Sequence, residues 1–505
     1  MHALCSVHNL LVGRQERYVG ISEKTARPGV VVGVLAFGGT VAAITQTAVV
    51  PIIGQLPGLL HTSAANASWV ITVTLLVGAV FTPVAGKLGD LYGKHRMLLV
   101  SGGFLIVGAA VAAMSSSLVP MLIGRGIQGM GVGLIPLGIS LMRDVLPAER
   151  LGSSIALMSA SLGVGGALGL PVSAAVAQYA SWRVLFWAAA ALSALIVVLI
   201  ATLVPAEAKR GDAGGRFDFV GAVGLGAGLV FLLLPVSKGA GWGWTSATTL
   251  GLFAASAVTL AAWGWWEMRT SDPLVDLRTT ARPQVLLTNA ASVLVGFAMY
   301  GQALIVPQLM QLPSATGHGM GQTMLGMGLW MAPGGLMMMA LSPAGAKLSA
   351  ARGPKVTLAV GALIIALGYG SSAVLMGSTW GLMTMVCITN IGVGLAYGAM
   401  PALIMGAVPL SETASANSIN TLMRSLGTSV SAAVVGVVLA NMTTDFAGHA
   451  VPSEAGFHVG LLIGAAVALG AAAIALTIPR RSAEPTDLDT ELATLSTQPV
   501  SVAKA

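Results

Sequence analysis

Between two long apolar runs, Gly86-Lys87-Leu88-Gly89-Asp90-Leu91-Tyr92-Gly93-Lys94-His95-Arg96 brings together one carboxylate, four bases and three glycines. A carboxylate in such a cassette can accept from the free N–H groups at a helix start and pair with a nearby guanidinium. Two further charged groups fall inside apolar runs. Arg125 lies in Ile123-Gly124-Arg125-Gly126-Ile127-Gln128-Gly129, and Arg424 follows Asn417 and Asn420 at i, i+3 and i+7 on one helical face. An arginine in a bilayer costs about 3 kcal/mol or more unless it meets a wet cavity or partners. Arg125, Gln128, Asn417, Asn420 and Arg424 are therefore read as coupling or pathway groups, with helix-joining structural roles as the alternative.

The eighteen acids all fall in tails, loops or helix ends, and no carboxylate lies deep in an apolar run. Intramembrane acids are the usual proton relays and partners of cationic substrates, so their absence shapes the expected cargo. Cys5 and Cys387 stand far apart in unlike surroundings, which supports neither a disulfide nor a metal site. There is no Walker A sequence, no H-E-x-x-H and no G-x-S-x-G. An enzyme is not expected. The bases are scattered singly, unlike a nucleic-acid-binding face, and the anionic leaflet of a lipid bilayer is the expected partner of the net charge of +7.

Softer groups could line a cavity: Gln46 in the first run, Tyr300, Gln302 and Gln308 in the ninth, and Met327, Trp330 and Met331 in the tenth. Core packing is the plainer account of each methionine; together they suggest an adaptable surface. Gly163-Val164-Gly165-Gly166-Ala167-Leu168-Gly169-Leu170-Pro171 lacks the βαβ context of a dinucleotide loop. Gly165 and Gly169 make a small-xxx-small packing face, and Pro171 marks a candidate hinge.

The elements that must position these groups are membrane helices. The chain is 55% hydrophobic and 9% charged, against about 25% charged in soluble domains. Windows of about 20 apolar residues occur near 29–53, 66–86, 97–116, 118–142, 154–177, 183–204, 218–237, 247–266, 285–307, 322–342, 357–377, 380–406, 414–440 and 457–478. With both termini cytoplasmic, inner segments take 21 of the 25 lysines and arginines, the asymmetry expected of an oriented membrane protein.

The chain also repeats at an offset of roughly 260 residues, as parallel-repeat transporters do. Leu88 and Gly93 match Leu348 and Gly353; Gly131-Val132-Gly133-Leu134 matches Gly392-Val393-Gly394-Leu395; Ser161-Leu162-Gly163 matches Ser425-Leu426-Gly427. The expected plan is a tail (1–27), a six-helix bundle (28–205), two inserted helices with linkers (206–284), a second six-helix bundle (285–480) and a disordered tail (481–505).

These motifs resemble the fourteen-helix drug:proton antiporters of the major facilitator superfamily. Gly86, Leu88, Asp90, Gly93 and Arg96 fit its G-x-L-x-D-x-x-G-x-x-R cassette, and Arg125, Gln128 and Gly129 fit R-x-x-Q-G. Trp182, Arg183 and Phe186, then Asp218 and Gly221, Trp242-Gly243-Trp244 and Asp272-Pro273-Leu274-Val275-Asp276-Leu277 resemble later landmarks. The resemblance implies an all-α membrane fold of two six-helix bundles plus two inserted helices. It also implies a conformational latch at Gly86, Asp90, Gly93 and Arg96, and export of amphiphilic small molecules in exchange for protons. A proton gradient, with no cofactor or metal, would supply the energy, in a bacterial plasma membrane and with a monomer as the working unit. The chain departs from the family pattern where Leu170 precedes Pro171 and Val172-Ser173-Ala174 follow, and where Ala42, Ala43 and Thr45 stand in place of a first-helix acid. The first departure leaves a metabolite importer or uniporter as the alternative. The second predicts neutral or anionic rather than cationic substrates.

Overall fold

In hydrocarbon every backbone polar group must be paired internally, so apolar runs of this length fold as helices. The computed structural model describes residues 27–49, 52, 55–206, 216–446 and 449–479; the expectations for residues 1–26 and 481–505, and the bases Lys209 and Arg210, lie outside them. Among the described residues fourteen helices are long and apolar enough to span a membrane. They are α1 (Pro28–Thr47), α2 (Trp69–Tyr92), α3 (Lys94–Met114), α4 (Leu118–Val145), α5 (Glu149–Tyr179), α6 (Arg183–Leu203) and α7 (Phe219–Trp242), followed by α8 (Ala247–Glu267), α9 (Pro283–Gln311), α10 (Met324–Arg352), α11 (Pro354–Leu375), α12 (Thr379–Met405), α13 (Leu410–Asn441) and α14 (Glu454–Thr477). The fold class read from the sequence is the one observed.

Local chemistry sets several helix starts. Asp218, Ser246, Thr323, Ser378 and Ser453 each accept from a backbone N–H three residues on, opening α7, α8, α10, α12 and α14. Such caps contribute about 1 kcal/mol each. The cassette differs from its reading as a loop. Residues up to Tyr92 continue α2 and Lys94 begins α3, so Gly93, at φ +103°, is the whole break. Its repeat counterpart, Gly353 at φ +86°, separates α10 from α11 in the same way. Glycine reaches that backbone region without a Cβ clash.

Three spans are interrupted within their length: a single 3-10 turn, Gly131–Gly133, divides α4, a one-residue break at Leu341 divides α10, and another at Ser371 divides α11 near its end. The sequence reading also lacked the antiparallel hairpin β1 (Thr443–Phe446) and β2 (His449–Pro452), which joins α13 to α14. The end of the bundle with Gly93 and Gly353 is called here the cassette end, and the opposite end the hairpin end.

Buried apolar side chains form two large clusters. One draws on α1 to α6, with Met405 and Ala414 at its edge, and the other on α9 to α14. Association in lipid depends on close backbone approach and interhelical bonds more than on hydrophobicity. Gly427 abuts Val293 and Phe297 of α9, and Gly392 faces Gly361 and Ile365 of α11. The inserted α7 and α8 pair with each other through Gly228 against Leu260 and a Ser256 Oγ–Gly228 carbonyl bond of 2.9 Å. α7 reaches the rest through Leu225, Leu229 and Leu233, packed with Ala79 of α2 and Leu422 of α13.

Candidate functional site

Two seams join the halves: α2 against α13, and α5 against α10. At the cassette end of the first, Gly86 sits so close to Ser418 and the Ala414 carbonyl that any Cβ would collide. That approach brings Asp90 to the start of α13. Its carboxylate accepts from Ala414 N (3.1 Å), Ser415 N (2.7 Å) and Ser415 Oγ (2.8 Å). Glu412, which ends the 3-10 turn opening α13 and flanks its α-helical part from Thr413, makes no side-chain cap hydrogen bond. Asp90 therefore caps α13 from 324 residues away in sequence, satisfying donors that a helix start leaves orphaned. A carboxylate also meets the positive end of the helix dipole there.

The cation beside Asp90 is Lys94, not the Arg96 that the resemblance placed there. Lys94 Nζ lies 3.9 Å from Asp90 and 2.5 Å from Asp144, and all three side chains are almost fully buried. Immediately after the Gly93 break, Lys94 reaches back to Asp90 of α2 and across to Asp144 of α4, whereas Arg96 is exposed. Arg143 supplies a second tie: its guanidinium donates to Thr413 Oγ1 (2.8 Å) and to the Val408 carbonyl (3.3 Å). Ser140 Oγ donates to the Pro136 carbonyl of its own helix (2.8 Å), with the Thr413 carbonyl a longer second acceptor at 3.2 Å, and accepts from Asn417 Nδ2 (3.1 Å). Sequence reasoning missed Arg143, Ser140 and Asp144. The Arg143-Asp144 pair at the end of an apolar run was the available signal.

The stripe on α13 divides. Asn417 faces the seam, whereas Asn420 donates to Asn289 Oδ1 (3.0 Å) and Ser292 Oγ (2.7 Å) of α9. Arg424 donates to Asn420 Oδ1 (3.2 Å) and Thr421 Oγ1 (3.0 Å), and its guanidinium lies 4.8 Å from the Tyr397 ring centroid. This polar knot joins α9, α12 and α13 within one half. Arg125, 1% exposed, donates to the carbonyls of Val70 (3.1 Å) and Thr45 (3.2 Å) and to Gln128 Oε1 (2.8 Å). Gly124 and Gly129 let α3 and α2 approach closely enough for this. Its geometry is that of a tie between α1, α2 and α4 near the hairpin end.

At the other seam α5 runs unbroken through Pro171. Gly165 and Gly169 press on α1 at Ala43 and Thr47, Pro171 meets Gly328 of α10, and Gly335 meets Gly163 and Ala167. The glycine run is a packing face toward two helices. The helix interruptions occur in α4, α10 and α11 instead.

The seven proposed cavity residues do not converge. Met327 is in the core of the second half, with half-buried Met331 packed against it. Trp330 meets the exposed Trp380 edge-on at 4.7 Å. Gln308 is exposed and bonds its own helix at Leu304 (3.0 Å). Gln302 is buried, with Oε1 unpartnered among the described residues, and Gln46 is half-buried in α1. Tyr300 alone of the seven lines a pocket of about 170 Å³ between α2, α7 and α13. Depth along a span is legible in sequence. The azimuth at which a side chain leaves the bundle is not.

A family model described as Major Facilitator Superfamily matches residues 35–432. An uncharacterised MFS-type transporter of Mycobacterium tuberculosis is 29% identical over 434 residues, covering 85% of this chain and 62% of the relative, so the chain spans somewhat less than two thirds of that relative's length. The tetracenomycin C resistance and export protein of Streptomyces glaucescens is 28% identical over 427 residues, covering 83% of this chain and 77% of that one. The crystal structure of the human organic anion transporter MFSD10 (TETRAN) superposes with a TM-score of 0.63 at 13% identity, over 89% of this chain and 99% of that one, a likeness of fold. With two helical halves and a family match over most of its length, the chain belongs to the Major Facilitator Superfamily, whose members are transporters and not enzymes.

Proposed function

We propose that this protein exports amphiphilic small molecules by alternating access, in exchange for protons, across a bacterial plasma membrane. Both termini and the cassette end face the cytoplasm, and the monomer is the working unit. The observation that carries the reading is the Asp90 cap on α13: a reversible set of directional bonds between halves, concentrated at one end. Rocking of two repeats around a midplane site requires contacts of this kind that break and re-form. The export of tetracenomycin C by a relative supports the direction, and the positive-inside distribution of bases supports the orientation.

The absence of deep acids, beside buried Arg125 and Arg424, selects neutral or anionic cargo over lipophilic cations. Efflux from a pump-deleted host is the measurement: resistance to neutral or anionic drugs is expected, collapsing with an uncoupler. Resistance chiefly to quaternary ammonium dyes would refute the charge preference. Uptake into inverted vesicles with an imposed pH gradient distinguishes export from the metabolite importer or uniporter that the altered Leu170-Pro171-Val172 sequence leaves open.

A further inference from the structure

The pocket bearing Tyr300 lies away from the latch, toward the hairpin end, and three parts of the chain build it. Thr72 of α2 comes from the first half, Tyr300, Thr428 and Ser429 from the second, and Ser237 and Trp244 from the insert. The inserted α7 thus walls off the gap between α2 and α13. Thr72 and Ser237 hydroxyls meet across that wall at 3.3 Å. Gly239, without a side chain, seats the Trp244 indole.

We propose that this pocket is a lateral binding site for a neutral, ring-sized amphiphile with one hydrogen-bonding group. Size is the first argument: about 170 Å³ is available, and a cavity of about 150 Å³ accepts benzene. Polarity is the second. Thr428 and Ser429 both spend their protons on the Ser425 carbonyl (2.8 and 3.0 Å) and so present lone pairs to the pocket. The Tyr300 hydroxyl, with no hydrogen bond among the described residues, offers a donor. Charge is the third. Every lining residue is neutral, and the adjacent Lys238 is turned to Ser68 Oγ (2.6 Å) and the Trp69 ring (4.5 Å). A ligand touching both halves has different contacts when they move, so it biases the alternation. That its occupant is transported cargo rests on the export reading; the site itself does not.

The test uses the full chain in lipid nanodiscs and a benzyl alcohol bearing an aryl diazirine, with crosslinks mapped by mass spectrometry. Labelling is expected on α2, α7 and α13 around Thr72, Ser237 and Thr428. It should fall at least threefold with Gly436→Phe, since a Cβ at this lining glycine meets nothing within 4 Å. Tyr300→Phe keeps the volume and removes the donor, so it should weaken labelling even if Gly436→Phe fails to fold. A trimethylammonium analogue of the probe should label several-fold less. Equal labelling in both variants at matched abundance, or equal labelling of outward residues such as Val223 and Val258 by simple partition into lipid, overturns the site. Labelling needs no gradient, which separates the two readings. A selectively labelled protein that exports nothing loses the export reading and keeps the site. An active exporter labelled unselectively keeps export and loses the site.

Discussion

The α2–α3 and α10–α11 junctions share a backbone plan and differ in chemistry. Each is helix, one left-handed glycine, helix, with Gly93 at φ +103° and Gly353 at φ +86°. The first carries Asp90 and Lys94, and the second has Ala350 and Pro354 at the corresponding places. The helix starts they face differ too: α13 is capped by Asp90 from the other half, whereas no such side-chain cap meets the start of α5 among the described residues. Duplication accounts for the shared plan. The difference shows that directional bonding across the halves is concentrated at one junction, while the other contributes shape. An N-terminal cap is worth about 1 kcal/mol, up to about 2, so one carboxylate can shift a balance of states several-fold.

Asp90→Asn is the strongest way to break this comparison. It removes the charge and one acceptor from three bonds, and transport should slow about three- to tenfold at normal abundance, each 1.4 kcal/mol being about tenfold. The state with an open cassette end should rise in parallel. A cysteine placed at the buried Ser418, in a chain without Cys5 and Cys387, should react faster with a water-soluble maleimide. Near-normal transport and unchanged reactivity would remove the latch role.

Arg143→Ala should have an intermediate effect, because it deletes ties to Thr413 and Val408 but leaves the Asp90 cap. Interhelical bonds in membranes average about 0.6 kcal/mol, so a slowing of about two- to fourfold is expected in the same uptake assay. A loss exceeding that of Asp90→Asn would move the centre of the latch to α4. Smallest of all should be Arg96→Ala and Arg352→Ala, both exposed. Each should stay within about twofold of the parent rate, since exposed charges contribute little. A severe defect in Arg96→Ala alone would restore the role that Lys94 has taken from it.

Much of the architecture was legible because lipid imposes length and apolarity on every span. Gly93 and Gly353 were paired by the repeat and Gly86 placed by its motif, but the break at the first two and the close approach at the third came from the structure. The site was only partly legible. Asp90 was found from its motif, but its partners Ala414 and Ser415 lie 324 and 325 residues away, and no local pattern encodes such a distance. Lys94 was passed over because the motif favoured Arg96, while the single-residue break at Gly93 fixes which base turns inward. Gln308 and Trp330 were misjudged for a related reason: polarity in a span says that a partner or an interface is needed, not on which side.

The 3-10 turn at Gly131–Gly133 gives α4 a further property. On one side of it Arg125 holds the helix to α1 and α2, and on the other Ser140, Arg143 and Asp144 belong to the latch. A short 3-10 stretch inside a helix is a common place for a hinge. The helix is thus two rods on a torsional joint. In the proposed cycle, twist applied at one rod as the clasp opens would be absorbed at the glycines, leaving the arginine anchor on the other rod in place.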